Sequence, residues 1–309
     1  MSKTAFVFPG QGSQAVGMLS DLASILPTVT DTFEEASEAL GFDLWELVQN
    51  GPIEELNKTA ITQPAVLTAS VAIWRVYREQ GGRKPDFLAG HSLGEYTALT
   101  CAGVFSLADA VSLVHARGNY MQDAVPEGSG SMAAIIGLDD EKVKELCRDV
   151  AEGEVVAAVN FNSPGQVVIA GHASAVDRAI AGCKEKGARM GRLLPVSVPC
   201  HCSLMQEAAE KLAEKLNSTS MNEPLIPVIN NIDVAVENEI EAIKVALIRQ
   251  LSGPVRWTES IQKLASEGVT NVVECGPGKV LTGLTKRIDN SLVGSAINTA
   301  ETLESALKA

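Results

Sequence analysis

The stretch Gly90-His91-Ser92-Leu93-Gly94 constrains this chain more than any other, because it falls between a strand candidate and a helix candidate. Asp86-Phe87-Leu88-Ala89 reads as the strand and Glu95 to Thr100 as the helix. A G-x-S-x-G element in that setting encodes a sharp strand-to-helix turn that forces a serine hydroxyl out of the backbone. Glycine is needed on both sides, since chain and helix crowd each other there and a side chain would clash. The helix start adds aligned N–H groups, which favour negative charge developing near Ser92. The competing reading is an ordinary glycine loop with a capping serine, so the rest of the chain has to decide.

The composition narrows the function class. Of 309 residues, 46% are hydrophobic and 20% charged, which suits a globular protein with one large domain or two smaller ones. A net charge of −13 with no Lys/Arg run argues against a nucleic-acid partner. The apolar run Ala5 to Phe8 is too short for a signal peptide or a membrane span. A cytoplasmic location without membrane contact is therefore expected. Cys101, Cys147, Cys183, Cys200, Cys202 and Cys275 show no framework spacing and are expected to be reduced thiols. Cys200-His201-Cys202 has metal-binding residue types but no second ligand cluster, so no metal site is expected.

Short apolar strands alternate with longer helical stretches through residues 1–124, which reads as α/β. Thr4 to Phe8 is a strand candidate, Ala65 to Gln80 a helix, and Ser106 to Ala124 a helix whose start resembles a capping box with Asp109 in place of the usual Glu. After the linker Pro126 to Gly130 the rhythm changes. Strands at Ser131–Leu138, Val155–Asn162, Gln166–Ala170 and Arg189–Val196, with helices at Asp139–Val150 and Ala173–Lys186, give the order βαββαβ of a ferredoxin-like unit. Beyond Pro199 the α/β alternation returns: helices at Ser203–Asn217, Ile240–Leu251 and Thr258–Glu267, strands at Ile226–Ile229 and Val269–Cys275. The expected division is a large domain from residues 1–127 and 198–309, and a small domain at 128–197.

A second glycine-rich element, Pro9-Gly10-Gln11-Gly12-Ser13-Gln14, follows the first strand. With Ala15 it fits a dinucleotide fingerprint, but that fold needs a second strand ending in an acidic residue about twenty positions on. Residues 31–40 read as a helix instead, and no cofactor is expected. The alternative is a loop whose backbone N–H faces the nucleophile and forms half of an oxyanion hole, the N–H of Leu93 supplying the other half. A serine nucleophile also needs a base. His91 adjoins Ser92 and points away from it, His115 lies inside a helix, and His172 sits at a capping position. His201, where the chain re-enters the large domain, is the candidate base. Arg117 and Met121 share a helix face. A guanidinium beside an acyl site suits a substrate with a carboxylate, although the helix pattern alone fits a surface arginine better.

Five segments occur in the order seen in the acyltransferases of fatty-acid and polyketide synthesis: Gln11-Gly12-Ser13-Gln14, Gly90 to Tyr96, His115-Ala116-Arg117-Gly118, Asn162 to Gln166, and Glu274 to Gly278. Over essentially its whole length the chain resembles the bacterial malonyl-CoA:acyl-carrier-protein transacylases of that family. The resemblance implies an α/β-hydrolase-like large domain with an inserted ferredoxin-like small domain. It implies Ser92 as nucleophile, His201 as general base and acid, and the N–H groups of Gln11 and Leu93 as oxyanion hole. Arg117 would clamp the malonyl carboxylate, with Met121 lining its pocket, and the main-chain carbonyl of Gln250 would orient the histidine. Malonyl-CoA and the holo form of acyl-carrier protein are the partners it implies, in a ping-pong transfer through a malonyl ester of Ser92. In related polyketide acyltransferases the residues just before the base track the extender unit accepted; here Cys200 is small. An acidic carrier needs a local basic patch, for which Lys184, Lys186, Arg189, Arg192, Lys286 and Arg287 are candidates. The same elbow would also serve a serine hydrolase or thioesterase, which differs in the fate of the acyl-enzyme; a carrier-binding scaffold with a dead acyl site is the non-enzymatic reading.

Overall fold

The computed structural model describes residues 3–196 and 198–308. The expected ends of the two domains at residues 1, 197 and 309 lie outside the described residues. Among those described, the strands are β1 (Lys3–Phe8), β2 (Phe87–Gly90), β3 (Gly130–Ile136), β4 (Val156–Ser163), β5 (Gln166–His172), β6 (Met190–Leu193), β7 (Val228–Ile229), β8 (Val269–Cys275) and β9 (Val293–Ile297). They form two sheets. One has five strands in the order β7-β2-β1-β8-β9, all parallel. The other has four in the order β4-β5-β3-β6, all antiparallel.

A parallel sheet must be covered on both faces, and β1 shows how the sequence arranges this. Its side chains alternate between faces. Phe6 and Phe8 join the larger apolar cluster under the Thr59–Glu79 helix, where Phe6 meets Trp74 edge-on at 5.6 Å between ring centres. Ala5 and Val7 face the other way, onto Trp257, Ile261, Leu281 and Leu284. The four-stranded sheet is covered differently. Ala133, Ile135, Val167 and Ile169 pack under the helices Asp140–Asp149 and Ala173–Gly182. The opposite face, with Met132, Val168 and Ala170, lies on Cys200, Cys202 and Leu204, the segment that carries His201. Hydrogen bonds from Phe161 N–H to Val255 O (3.0 Å) and from Val255 N–H to Val159 O (2.8 Å) join β4 to the large unit.

The expected order of elements is the observed one, with local differences. The Thr59–Glu79 helix begins six residues before the expected Ala65 and includes Pro64, whose missing N–H falls in the first turns. Ser106 accepts from Asp109 N–H (3.0 Å) and donates to the Asp109 carboxylate (2.7 Å), the expected cap. The Ala173 helix stops at Gly182 and β6 is shorter than expected, covering Met190–Leu193. Strand β9 and the Val280–Ile288 helix have no counterpart in the sequence reading. No helix is long and apolar enough to cross a membrane among the described residues.

The elbow depends on two glycines. A Cβ on Gly94 would lie 2.1 Å from Phe8 O, and one on Gly90 would lie 1.9 Å from the Gly94 carbonyl; both obstacles are main chain. Gly94→Ala is therefore expected to cost about 3 kcal/mol or more, or to prevent folding. Urea unfolding against the parent chain reads this directly; a loss within ~0.5 kcal/mol, the usual range for a surface change, would contradict the packing described.

Candidate active site

Ser92 leaves β2 at φ 53°, ψ −107°, backbone that a serine rarely adopts and that costs roughly 1–3 kcal/mol. His201 is also left-handed, at φ 66°. The elbow is held by its neighbours. Ser92 N–H donates to Asn231 Oδ1 (2.7 Å), and Asn231 Nδ2 donates to Gly90 O (2.7 Å). Gln250 Nε2 donates to Ser92 O (3.1 Å).

Ser92 Oγ lies 2.7 Å from His201 Nε2, and His201 Nδ1 donates to Gln250 O at 2.8 Å. The carbonyl can only accept, so the proton sits on Nδ1 and Nε2 is free to take one from the serine. Burial, and then the charge of Arg117, lower the His201 ring from 6.5 to about 3. A neutral imidazole in this position can act as a base at ordinary pH. The neighbouring His91 turns away, donating from Nε2 to Asn162 Oδ1 on β4 (2.7 Å).

Arg117 is 1% exposed. Its Nη1 donates to Gln63 Oε1 (2.7 Å) and its Nη2 to Gln250 Oε1 (3.2 Å), with Ser92 Oγ at 3.4 Å from Nη2. The guanidinium also lies 5.2 Å from the Tyr96 ring centre. No carboxylate reaches it within salt-bridge distance among the described residues, and its Nε has no partner. A buried cation satisfied by amide oxygens, a serine hydroxyl and a ring, with no carboxylate, is arranged to receive an anion. Met121, one turn further along the helix, is buried beside it and accepts from Gln63 Nε2 through sulfur at 3.5 Å.

These groups surround a cavity of about 100 Å³, with Gln11 and Leu93 on one side and Met132 and Asn160 of the antiparallel sheet on the other. Among the described residues, neither Gln11 N–H nor Leu93 N–H has an acceptor within the protein. Unpaired main-chain donors beside a nucleophile can stabilise an oxyanion, each worth about 3 kcal/mol. A larger cleft of about 930 Å³ lies between Asp140–Asp149 and Arg256. Two pairs of its charges meet each other, Lys144 with Glu141 and Arg256 with Glu259, and no histidine lines it among the described residues.

An acyl transferase domain model matches residues 5–302. The chain belongs to the acyl transferase family. It is 60% identical over 308 residues to the malonyl CoA-acyl carrier protein transacylase of Escherichia coli (strain K12), covering all of both chains. The crystal structure of an acyl carrier protein S-malonyltransferase from Vibrio cholerae superimposes with a TM-score of 0.96 at 59% identity, over 98% of this chain and 99% of that one. A malonyl-transacylase in complex with a type II PKS acyl-carrier protein gives 0.98 at 57% identity, over 99% of each. The mixed α/β architecture, with a parallel sheet and a separate antiparallel sheet, matches these structures.

In this acyl transferase the residues singled out from the sequence converge. Ser92, His201, Gln11, Leu93, Arg117 and Met121 line one cavity, and the Gln250 carbonyl meets the histidine. Arg117 is deeply buried, contrary to what its helix pattern suggests. His172 occupies the expected N-cap position, but its ring does not cap the helix; its Nδ1 accepts from Val155 N–H at 2.9 Å. Of the basic residues weighed for carrier docking, Lys186 is paired with Asp149 (2.6 Å) and Glu145 (3.5 Å), and Arg287 donates to Gln166 (3.0 Å). Gln63 and Asn231 went unnoticed in the sequence, while Glu95 and Asn162 fell within quoted segments but were given no role.

Proposed function

We propose that the protein transfers a malonyl group from malonyl-CoA to the pantetheine thiol of acyl-carrier protein, through an ester on Ser92, and so supplies the extender unit for fatty-acid synthesis. His201 takes the Ser92 proton as Oγ attacks the thioester carbonyl. The N–H groups of Gln11 and Leu93 hold the oxyanion, and the proton passes to the departing CoA thiolate. The carrier thiol then gives its proton to His201 and attacks the ester carbonyl; as the bond to Ser92 Oγ breaks, His201 returns the proton to that oxygen. Arg117 binds the malonyl carboxylate, Met121 shapes its pocket, and the Gln250 carbonyl keeps the imidazole in the right tautomer. The observation that carries this reading is the buried, anion-free Arg117 within 3.4 Å of a serine already bonded to its base.

In this reading residues 1–127 and 198–309 form an α/β-hydrolase-like catalytic unit, and 128–197 an inserted ferredoxin-like unit. Support comes from the elbow at the carboxyl end of β2 and from the strand order β4-β5-β3-β6 of the βαββαβ segment. A cytoplasmic location belongs to the same reading, supported by six cysteines that are all free thiols. Lys184, Arg189, Arg192, Lys286 and Arg287 remain the exposed cations for an acidic carrier, Lys186 being taken up by its own ion pairs.

A covalent intermediate dictates the kinetics. Varying malonyl-CoA against carrier protein should give parallel double-reciprocal lines; intersecting lines would mean a ternary complex and no acyl-serine. The pH profile follows from the His201 environment. Because that pKa lies below its unfolded value, the native state holds fewer protons between about 3 and 6.5 and loses stability as pH falls through that window. In the free enzyme the base is already neutral at pH 6.5, so kcat/KM for malonyl-CoA should show no acid limb there. In the complex a carboxylate offsets Arg117, so the acid limb of kcat should lie at higher pH than that of kcat/KM. An ordinary histidine limb near 6.5 in kcat/KM would contradict this.

A further inference from the structure

Glu95 is a buried carboxylate, 2% exposed, that the transfer steps above do not use. Its Oε2 accepts from Asn231 N–H (2.8 Å) and from Gln250 Nε2 (2.9 Å). Each of these partners also touches the reacting groups. Asn231 holds the elbow at Ser92 N and Gly90 O, while Gln250 gives its side-chain oxygen to Arg117 and its carbonyl to His201. A single amide group thus separates Glu95 from Arg117. We propose that Glu95 is a positioning residue and the buried counter-charge of Arg117, and that through the Gln250 amide its protonation state sets how tightly the carboxylate of the acyl group is held.

The charge balance explains the coupling. Arg117 has no carboxylate of its own, so an ionised Glu95 supplies the nearest compensating charge that the hydrogen bonds connect to it. When a substrate carboxylate docks on the guanidinium, two like charges share one cation in a site of low dielectric, and each weakens the other. Protonating Glu95 relieves this. Burial already pushes its carboxyl up to about 7, against the pull of Gln250, Asn231 N–H and Arg117, so the change falls within the working range. Other charges face it too. Asp233 opposes its ionisation but is paired with Arg249 at 2.8 Å, Glu237 lines the small cavity behind it, and the rings of His201 and His91 are held neutral by burial.

This inference rests on the malonyl-transfer reading, and one titration separates the two. In a Ser92→Ala background, where no ester forms, calorimetry gives the Kd of malonyl-CoA and of acetyl-CoA from about pH 6 to 8.5. The ratio of the two isolates the carboxylate and cancels the CoA phosphates. The expected result is a preference for malonyl-CoA that falls at least about fivefold as pH rises. Adding Glu95→Gln should leave a preference that is independent of pH and stays at its low-pH value. A pH-independent ratio in the Ser92→Ala protein, or the same slope after Glu95→Gln, overturns the role of Glu95. If both esters bind equally at every pH, the malonyl reading itself fails. Should the double variant not fold, the Ser92→Ala protein at about pH 7.5 still decides in two buffers of different ionisation enthalpy. Malonyl-CoA should take up more protons than acetyl-CoA, and equal uptake overturns the proposal.

Discussion

His201→Ala should slow acylation of Ser92 by malonyl-CoA about 10³- to 10⁴-fold, with little change in malonyl-CoA binding. The size follows from what the imidazole does. A serine hydroxyl is a weak nucleophile until a base takes its proton, and general base catalysis contributes typically 10²- to 10⁴-fold. The upper part of that range applies because the base is aligned in the resting protein, with Nε2 2.7 Å from Oγ and Nδ1 fixed by the Gln250 carbonyl at 2.8 Å. The proposed oxyanion donors and Arg117 remain in the variant, so binding should persist and a residual rate should survive. Stopped-flow measurement of CoA release reads both quantities. A loss below about tenfold would mean that another group takes the proton.

The second large effect belongs to Arg117. Arg117→Ala should lower kcat/KM for malonyl-CoA by about 10²- to 10³-fold, while acetyl-CoA, which has no carboxylate, loses little. Truncating one partner of a buried, hydrogen-bonded charge pair costs 2–5 kcal/mol, and each 1.4 kcal/mol is about tenfold. The guanidinium sits among Gln63, Gln250 and Tyr96, so water cannot readily replace it. Its removal should also let the His201 ring titrate nearer its ordinary value, because the Arg117 charge helps to depress it. Equal losses for the two esters would point to structural damage and sink the assigned role. Arg117→Lys tests the geometry, since an ammonium keeps the charge but cannot span two amide oxygens as a planar fork does.

What the sequence made legible was whatever main-chain geometry had to specify locally. The elbow announces itself because only glycine fits at positions 90 and 94, whose Cβ atoms would strike backbone. The four-stranded unit was readable because its strands alternate cleanly between a helix-covered face and a face on the His201 segment, as Met132, Ala133 and Ile135 show. Arg117 was harder. Its neighbours on the helix mix polar and apolar residues, and its burial is decided by Gln63 and Gln250, 54 and 133 residues away in sequence. The polar network around Glu95 was invisible for the same reason, since Asn231 and Gln250 come from separate elements brought together only by folding. The Gln250 carbonyl could be proposed by resemblance alone, for no side-chain pattern marks a main-chain oxygen. Strand β9 escaped because its Val293-Gly294-Ser295-Ala296-Ile297 lies at a sheet edge, half exposed and weakly apolar.

The measurement that bears most directly on the whole account is the intact mass of the protein after mixing with malonyl-CoA, before and after holo acyl-carrier protein is added. The account predicts an adduct of one malonyl group that maps to Ser92, persists in water on the timescale of turnover, and moves to the carrier thiol. Rapid release of free malonate with no transfer to the carrier would make the protein a hydrolase and contradict the central claim.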